Sequence, residues 1–401
     1  MNLWLILLSV VLLLGALALL IPIGVLWVEC TAALLPTRRS QGGGIRPTIA
    51  ILVPAHNEAS GIQATLKTLL PQLSKDDRLV VVADNCEDET AAISREAGAT
   101  VIERHDLDQR GKGYALDFGL RFLSAQPPDV VVIVDADCLV SPGSIEKIAV
   151  MAIAQKRPVQ ATYLLTRPAR PSPKDAVSVL AFTVKNLVRP LGLRQLGLPN
   201  LLTGTGMALP WSLLSTVSLA SSNLVEDMQM ALDFALAGHP PTFCAEARVI
   251  GALPQQKKAA KTQRTRWEHG HLQTLKAQVP RLTKAALRQK RFDLLSLALD
   301  LSVPPLSLLV MLWLVVSMIA LVAFFWLKIS PLPVLLLALE GGLLLVAILT
   351  AWARFCRAEL PLHTLLSIPL YVLWKVPLYL SFLIKPQTKW VRTERDAAPK
   401  S

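Results

Sequence analysis

The chain has 401 residues, 52% of them hydrophobic, with a formal charge of +12 and a mean hydropathy of +0.45, more apolar than a soluble domain usually is. Five cysteines with no CxxC spacing argue against a zinc site or a disulfide frame and fit a reducing compartment. Between positions 257 and 291, eleven Lys or Arg stand against one acid, Glu268, just ahead of a hydrophobic block; this favours a lipid bilayer and excludes nucleic acid as the partner.

Residues 3–28 are apolar almost without interruption, long enough to cross about 30 Å of hydrocarbon. They lack a preceding basic region and exceed a signal-peptide core, so an uncleaved anchor over 1–30 is expected. Arg38, Arg39 and Arg46 follow, and the positive-inside rule then puts the next region in the cytoplasm. Gln41 and the glycines at 42–44 read as a flexible joint to a globular domain over 45–280.

Within that domain β-rich runs alternate with helix-like ones: 48–53 then 59–70, 79–83 then 87–97, 100–103 then 113–123, and 130–134 then 144–154. The alternation predicts an α/β fold with a Rossmann-like, mainly parallel sheet, whose ligands bind at the carboxyl ends of the strands. Glu58, Asp84 and the pair Asp135 and Asp137 each fall at such an end. Three separate pieces of sequence are therefore expected to converge on one crevice.

Glu58 could bind ribose hydroxyls or favour a helix amino terminus, and the nearby His56 reads as structural. Asp84 is placed to accept from a base imide, whereas Asp88 reads as a helix cap. Lys112, in Arg110-Gly111-Lys112-Gly113, opens a helix where a cation and free amides suit phosphate or base. Asp135 and Asp137 lie on the same side of an extended chain, so one can reach a ribose while the other ligates a divalent metal carrying a diphosphate. The plain alternative is a surface turn.

The run Thr203-Gly204-Thr205-Gly206 lets a ligand approach the backbone. Asp227 is the candidate base for an acceptor hydroxyl, with Glu226 orienting it or the acceptor; acids in an ordinary first helical turn are the alternative. Gln263, Arg266 and Trp267 lie within about one helical turn and can present a guanidinium fork for phosphate together with an indole platform for a sugar. His269 and His271, two apart on a helix, point to different faces and do not form a metal pair.

Residues 281–301 mix basic positions with Leu287, Phe292, Leu294 and Leu295, the pattern of an amphipathic helix lying flat on the bilayer. A membrane region over 303–384 follows, with spanning candidates at 305–327 and 332–352, the 328–331 link outside, and Arg354 and Arg357 inside. The stretch 360–384 contains three prolines and Lys375, and a span there would strand the basic tail 385–401 on the outer side, so either a span or an interfacial course is open. Glu340 and Lys375, ionisable groups within apolar stretches, are functional candidates or partners of one another.

The ordered set of Pro54 to Glu58, Asp84, Lys112, Asp135 with Asp137, Thr203 to Gly206, Glu226-Asp227 and Gln263 to Trp267 resembles membrane-bound family 2 glycosyltransferases. That group includes cellulose, hyaluronan and chitin-oligosaccharide synthases. The resemblance implies a GT-A fold, inversion at the anomeric carbon, a UDP-sugar donor and Mg2+ or Mn2+. Carried over by position, it implies that Pro54, Glu58, Asp84, Lys112, Asp135, Gly204, Gly206, Gln263 and Arg266 hold the donor, with Asp84 on uracil. Asp135 and Asp137 would meet the ribose and metal, Asp227 with Glu226 the acceptor hydroxyl, and Trp267 the acceptor sugar.

The function so implied is transfer of a hexose or N-acetylhexosamine to a growing glycan in exopolysaccharide assembly at the inner membrane, alongside other assembly proteins. Val225 stands where many synthases have Thr, and the carboxyl-terminal bundle has fewer segments than channel-forming members. Transfer of one sugar to a lipid or lipid-linked acceptor, as in ceramide glucosyltransferase-like enzymes, is the alternative. A non-catalytic scaffold of an export complex is the alternative from another class.

Overall fold

The structure, a computed structural model, describes residues 3–36, 45–166, 172–217, 219, 225–253, 257–358 and 360–384; Arg38, Arg39, the 41–44 joint and the 385–401 tail fall outside them. A 30-residue helix, α1 (Leu3–Ala32), precedes strands that alternate with helices. These are β1 (Ile49–Ala55), α2 (Ile62–Leu69), β2 (Arg78–Asp84), α3 (Thr90–Glu96), β3 (Thr100–Arg104), α4 (Lys112–Leu123) and β4 (Val130–Ile133). A short β5 (Leu139–Val140) leads to α5 (Ser144–Gln155), β6 (Val159–Thr166), α6 (Pro173–Thr183), α7 (Arg189–Gln195), β7 (Met207–Pro210), α8 (Glu226–Leu236) and β8 (Thr242–Ala252).

Successive side chains of a strand point to opposite faces, and here both faces are covered. Ile49, Ile51 and Val53 pack with Ile62, Leu66 and Leu69 of α2 and with Ile145 and Ile148 of α5. Ala50, Leu52, Val80 and Val82 pack on the other side with Leu116 of α4 and Phe234 of α8. The apolar runs of the sequence are strands because each residue has a core to enter.

The eight strands are ordered β3-β2-β1-β4-β7-β6-β8-β5. From β3 to β4 all neighbours are parallel, as the βαβ pattern predicts. Beyond β4 antiparallel pairings enter, β7 against β4 and β6 and β5 against β8, while β6 and β8 are parallel, so four of the seven pairings are parallel and the sheet is mainly parallel as expected. The cause lies in the glycine-containing loop before β7. Gly206 N–H donates to Ile133 O (2.8 Å), so β7 starts at the carboxyl end of β4 and must run back along it.

The remaining helices are α9 (Lys257–Gln289), α10 (Phe292–Ser302), α11 (Leu306–Leu327), α12 (Leu332–Ala351) and α13 (Ile368–Ile384). Residues 281–301 are not the single flat helix expected. The chain breaks at Lys290, which adopts φ 53°, and α10 turns Leu294, Leu297 and Leu301 into a cluster with Leu282 of α9 and Met228 and Leu232 of α8. Only Leu287 and Phe292, 70% and 65% exposed, are left facing outward.

Among the described residues, five segments are long and apolar enough to cross a membrane: Leu3–Ala32, Pro173–Gln195, Leu306–Leu327, Leu332–Cys356 and Leu362–Ile384. Pro173–Gln195 differs from the others, because 72% of its apolar window is buried inside the protein against 17% for α1 and for α11. Its surface is used in packing and does not face lipid. Trp313 of α11 donates to Leu337 O of α12 (2.8 Å), joining those two helices as a hairpin. Glu340 is fully buried in α12, with no hydrogen-bond partner among the described residues.

A buried charge cluster joins the anchor to the domain. Arg189 of α7 donates through Nε to Glu29 Oε2 of α1 (2.6 Å) and through Nη2 to Asp300 Oδ1 of α10 (2.5 Å). A Cβ on Gly192 would lie 1.9 Å from Glu29 O, so only glycine allows α1 and α7 to cross this closely. α13 is held against the same body: Tyr371 Oη pairs with Ser178 Oγ (3.1 Å), Tyr379 Oη with Ser307 Oγ (2.6 Å), and His269 Nε2 donates to Leu378 O (3.1 Å). Lys375 pairs with Glu268 and not with Glu340.

Candidate active site

Two asparagines build the rim at the strand ends. Asn57 and Asn85 follow β1 and β2 at φ 54° and 51°, a left-handed conformation that Asn tolerates better than most residues. Their side chains then lock the loops together: Glu87 N–H donates to Asn57 Oδ1 (2.7 Å) and Asp106 N–H to Asn85 Oδ1 (2.8 Å). His56 Nδ1 donates to Asp84 O (2.6 Å), and Asp88 Oδ2 accepts from Ala59 N–H (3.1 Å), so both are structural, as read from the sequence.

Asp84 is buried, and its Oδ1 accepts from Arg104 Nη1 (2.7 Å). Arg104 was missed in the sequence, where a basic residue ending a short strand carries no distinctive signal. Its guanidinium holds one carboxylate oxygen and fixes the plane in which the other can accept. Glu58 sits beside this pair, its backbone N–H donating to Thr90 Oγ1 (2.8 Å).

Lys112, at the start of α4, is the hub of the site. Its Nζ forms an ion pair with Asp135, donates to Gly204 O (2.7 Å) and lies 4.0 Å from Glu226 Oε1. Asp135 N–H donates to Thr205 Oγ1 (3.0 Å), while Gln160 of β6 accepts from Thr203 N–H (2.8 Å) and donates to Thr205 O (2.8 Å). The loop is thereby pinned between strands. At Gly204, with φ 91°, an added Cβ would come within 3.2 Å of Asp227 Oδ2, so glycine lets the backbone pass close to that carboxylate.

Trp267 on α9 packs against Phe182 (ring centroids 5.8 Å apart), which in turn meets Tyr163 edge-on (5.1 Å). Phe182, itself braced by Tyr163, supports the indole. Gln263 is buried one turn away, whereas Arg264 reaches Asp175 (3.4 Å) and lies over the Trp374 ring, away from the acids.

A cavity of about 500 Å³ opens among these groups. Pro54, Glu58, Asp84, Lys112, Asp135, Asp137, Gly204, Glu226, Asp227, Gln263, Arg266 and Trp267 all line it. Of the residues the sequence assigned to donor, acceptor or metal, Gly206 alone does not line it. An added Cβ there would sit 2.7 Å from Val249, and the residue serves to turn the chain into β7. Lys185, Glu268, Tyr371 and Lys375 also line the cavity, and no local pattern marked the first three.

Burial sets the electrostatics. Glu226 is pushed up to about 7, first by burial and then by the neighbouring Asp227 charge, with Lys112 opposing. Asp227 is also raised by burial, partly offset by Lys112. Burial would lower the Lys112 ammonium, but Asp135 and Glu226 outweigh it and hold the lysine charged. The centre is a chain of acids knitted by one cation.

Asp135, Asp137 and Cys138 place their ligand atoms within 4.8 Å of one another. The thiol is an unsuitable ligand for a hard cation, since burial holds it well above its ordinary range and Sγ leans on Asp137 Oδ1 (3.6 Å). The two carboxylates supply hard oxygen donors and fit Mg2+ or Mn2+, which complete their shells with phosphate and water. Asp135 is shared with Lys112.

A family model described as "Glycosyltransferase like family 2" matches residues 47–270, more than half of the chain. The chain belongs to this family. Its structure resembles a mannosyltransferase from Pyrobaculum calidifontis in complex with GDP-Man and Mn2+, at TM-score 0.55 and 18% identity, over 94% of this chain and 100% of that one. That likeness shows the GT-A fold. A glucosyl-3-phosphoglycerate synthase from Mycobacterium tuberculosis, complexed with Mn2+, UDP-glucose and phosphoglyceric acid, matches at TM-score 0.35 and 21% identity over 49% of this chain and 69% of that one. Among curated proteins none matches the chain.

Proposed function

We propose that this family 2 glycosyltransferase is an inverting enzyme that moves a hexose or N-acetylhexosamine from a UDP-sugar to a glycan acceptor at the cytoplasmic face of the inner membrane. The observation that carries the reading is the position of Asp227. It lines one cavity with the strand-end acids Asp84, Asp135 and Asp137 and lies close to Gly204.

In this reading Asp84 and Glu58 take the uridine, Asp135 the ribose, and Lys112 and Arg266 the phosphates. Asp137 and Asp135 would hold Mg2+ or Mn2+; the similar mannosyltransferase is complexed with GDP-Man and Mn2+. When bound, the cation would supply positive charge for the departing diphosphate. Asp227 accepts the proton of the acceptor hydroxyl as its oxygen bonds to the anomeric carbon. The bond from that carbon to the diphosphate breaks, and the negative charge leaves on UDP. Burial raises Asp227 and so makes it a stronger base near neutral pH.

The buried Arg189 cluster supports a catalytic domain fixed rigidly beneath its membrane anchor. For α13 we favour an interfacial course, because Tyr371, Lys375 and Tyr379 bond to groups at the domain side of the bundle. Supplying UDP-sugars to purified protein and measuring product mass tests the whole. A ladder of products supports polymer growth in exopolysaccharide assembly, a single adduct supports one-step transfer, and no transfer from any donor overturns the reading.

A further inference from the structure

The turn that carries Asp135 and Asp137 is braced by the residue that follows it. Cys138 is fully buried, and its backbone N–H donates to Asp135 O (3.2 Å), closing the turn. Thr65 Oγ1 donates to Ala136 O (2.8 Å), so the backbone between the two acids is held as well. The side chain of Asp137 is held in its turn, because its Oδ1 accepts from Cys138 Sγ (3.6 Å). A thiol is a weak donor, so this bond can aim the carboxylate without competing strongly with a cation for it.

Two hydroxyls set the direction of that S–H. Those of Tyr163 in β6 and Thr205 in the loop before β7 both hydrogen-bond with Cys138. Thr205 Oγ1 already accepts from Asp135 N–H (3.0 Å), which leaves its own hydrogen for the sulfur. A sulfur that accepts from two hydroxyls has its hydrogen left for Asp137, and the buried thiol is then satisfied in every direction.

The place of the Tyr163 hydroxyl is built into the fold. A Cβ on Gly251 of β8 would lie 2.9 Å from Tyr163 Oη, so glycine leaves the space that the hydroxyl occupies. The ring lines the cavity and meets Phe182 edge-on (5.1 Å), and Phe182 packs on Trp267 (5.8 Å). A phenylalanine would pack on Phe182 equally well. Only a tyrosine reaches the thiol, since a buried phenol oxygen needs a partner and finds it there.

We infer that Cys138 and Tyr163 are positioning residues for the metal centre: the Tyr163 hydroxyl orients the Cys138 thiol, and the thiol keeps the Asp137 carboxylate turned toward the cation. The inference rests on the reading of Asp137 as a metal ligand and adds what orients it.

Metal dependence of UDP binding, read without turnover, tests it. UDP is titrated calorimetrically into the full chain in detergent over a series of Mn2+ concentrations and in EDTA, for the wild type, Cys138→Ala, Cys138→Ser, Tyr163→Phe and Asp137→Ala. The Mn2+ concentration that gives half of the gain in UDP affinity should rise about tenfold in Cys138→Ala and in Tyr163→Phe, the lower end of the usual loss when a group behind a metal ligand is removed. Cys138→Ser keeps a donor at the same place and should stay within roughly threefold of the wild type. UDP affinity in EDTA should be the same in all five proteins. Equal Mn2+ midpoints in the wild type, Cys138→Ala and Tyr163→Phe overturn the inference and make the pair packing alone. So does a Cys138→Ser midpoint as high as that of Cys138→Ala, or a loss of affinity in EDTA as large as the loss in Mn2+. A wild type indifferent to Mn2+, or Asp137→Ala matching it, instead removes the metal assignment itself, and the inference falls with it.

Discussion

Lys375 of α13 and Glu268, the residue after Trp267, form a buried ion pair across 107 positions of sequence. Lys375 is only 2% exposed, and Glu268 Oε2 has no hydrogen-bond partner among the described residues, so each charge depends on the other. The pair ties the last helix to the wall that carries the indole.

Removing one member should therefore cost more than removing both. Lys375→Met leaves Glu268 uncompensated and should lower stability by about 3–5 kcal/mol, the usual scale for breaking a buried pair. Lys375→Met combined with Glu268→Gln should recover most of it. Thermal unfolding in detergent measures both; equal losses would mean that this charge pair does not hold α13.

Asp227→Asn keeps the shape of the side chain and removes its basicity. Turnover should fall by about a hundredfold or more. UDP affinity, measured by calorimetry, should stay close to that of the wild type. Near-normal transfer would take Asp227 out of its role.

Asp137→Ala removes the carboxylate least committed to Lys112. UDP binding in Mn2+ should weaken by roughly tenfold or more, while the residual binding in EDTA should be unchanged. Identical titrations in Mn2+ for variant and wild type would contradict the metal assignment.

Glu226 and Asp227 titrate together, and both must be considered in the pH dependence. A base works ionised, so kcat/KM should rise with pH through an acid limb near the value of about 7 for Glu226. Glu226→Gln removes a like charge beside Asp227 and should move that limb to lower pH. For stability the sign is opposite: because the folded value of Glu226 lies above its ordinary 4.5, its contribution is fully present below 4.5 and is lost as pH rises through about 7. Glu226→Gln should therefore raise the Tm at about pH 8 and change it little at about pH 5.

Much of the site was legible because its acids follow strands, and strands buried on both faces declare themselves as β-branched runs such as 130–134. Asp84, Asp135 and Asp137 could be read as a set for that reason. Arg104, Lys185 and the Glu268 to Lys375 pair could not, since their meaning comes from partners far away in sequence. The amphipathic pattern at 281–301 misled in the same way: its leucines face α8, a tertiary neighbour that periodicity does not reveal. Gly206 shares its motif with Gly204, yet of the two only Gly204 lines the cavity, because Gly206 donates to Ile133 O and turns the chain into β7 against Val249.

The most direct test of the central claim is UDP release by the purified protein across a panel of UDP-sugars, with Mn2+ and with EDTA, in wild type and Asp227→Asn. Metal-dependent release from at least one donor, lost in EDTA and reduced about a hundredfold in Asp227→Asn, is the predicted result. Release that is indifferent to metal, or equal in the variant, or absent with every donor, would contradict it.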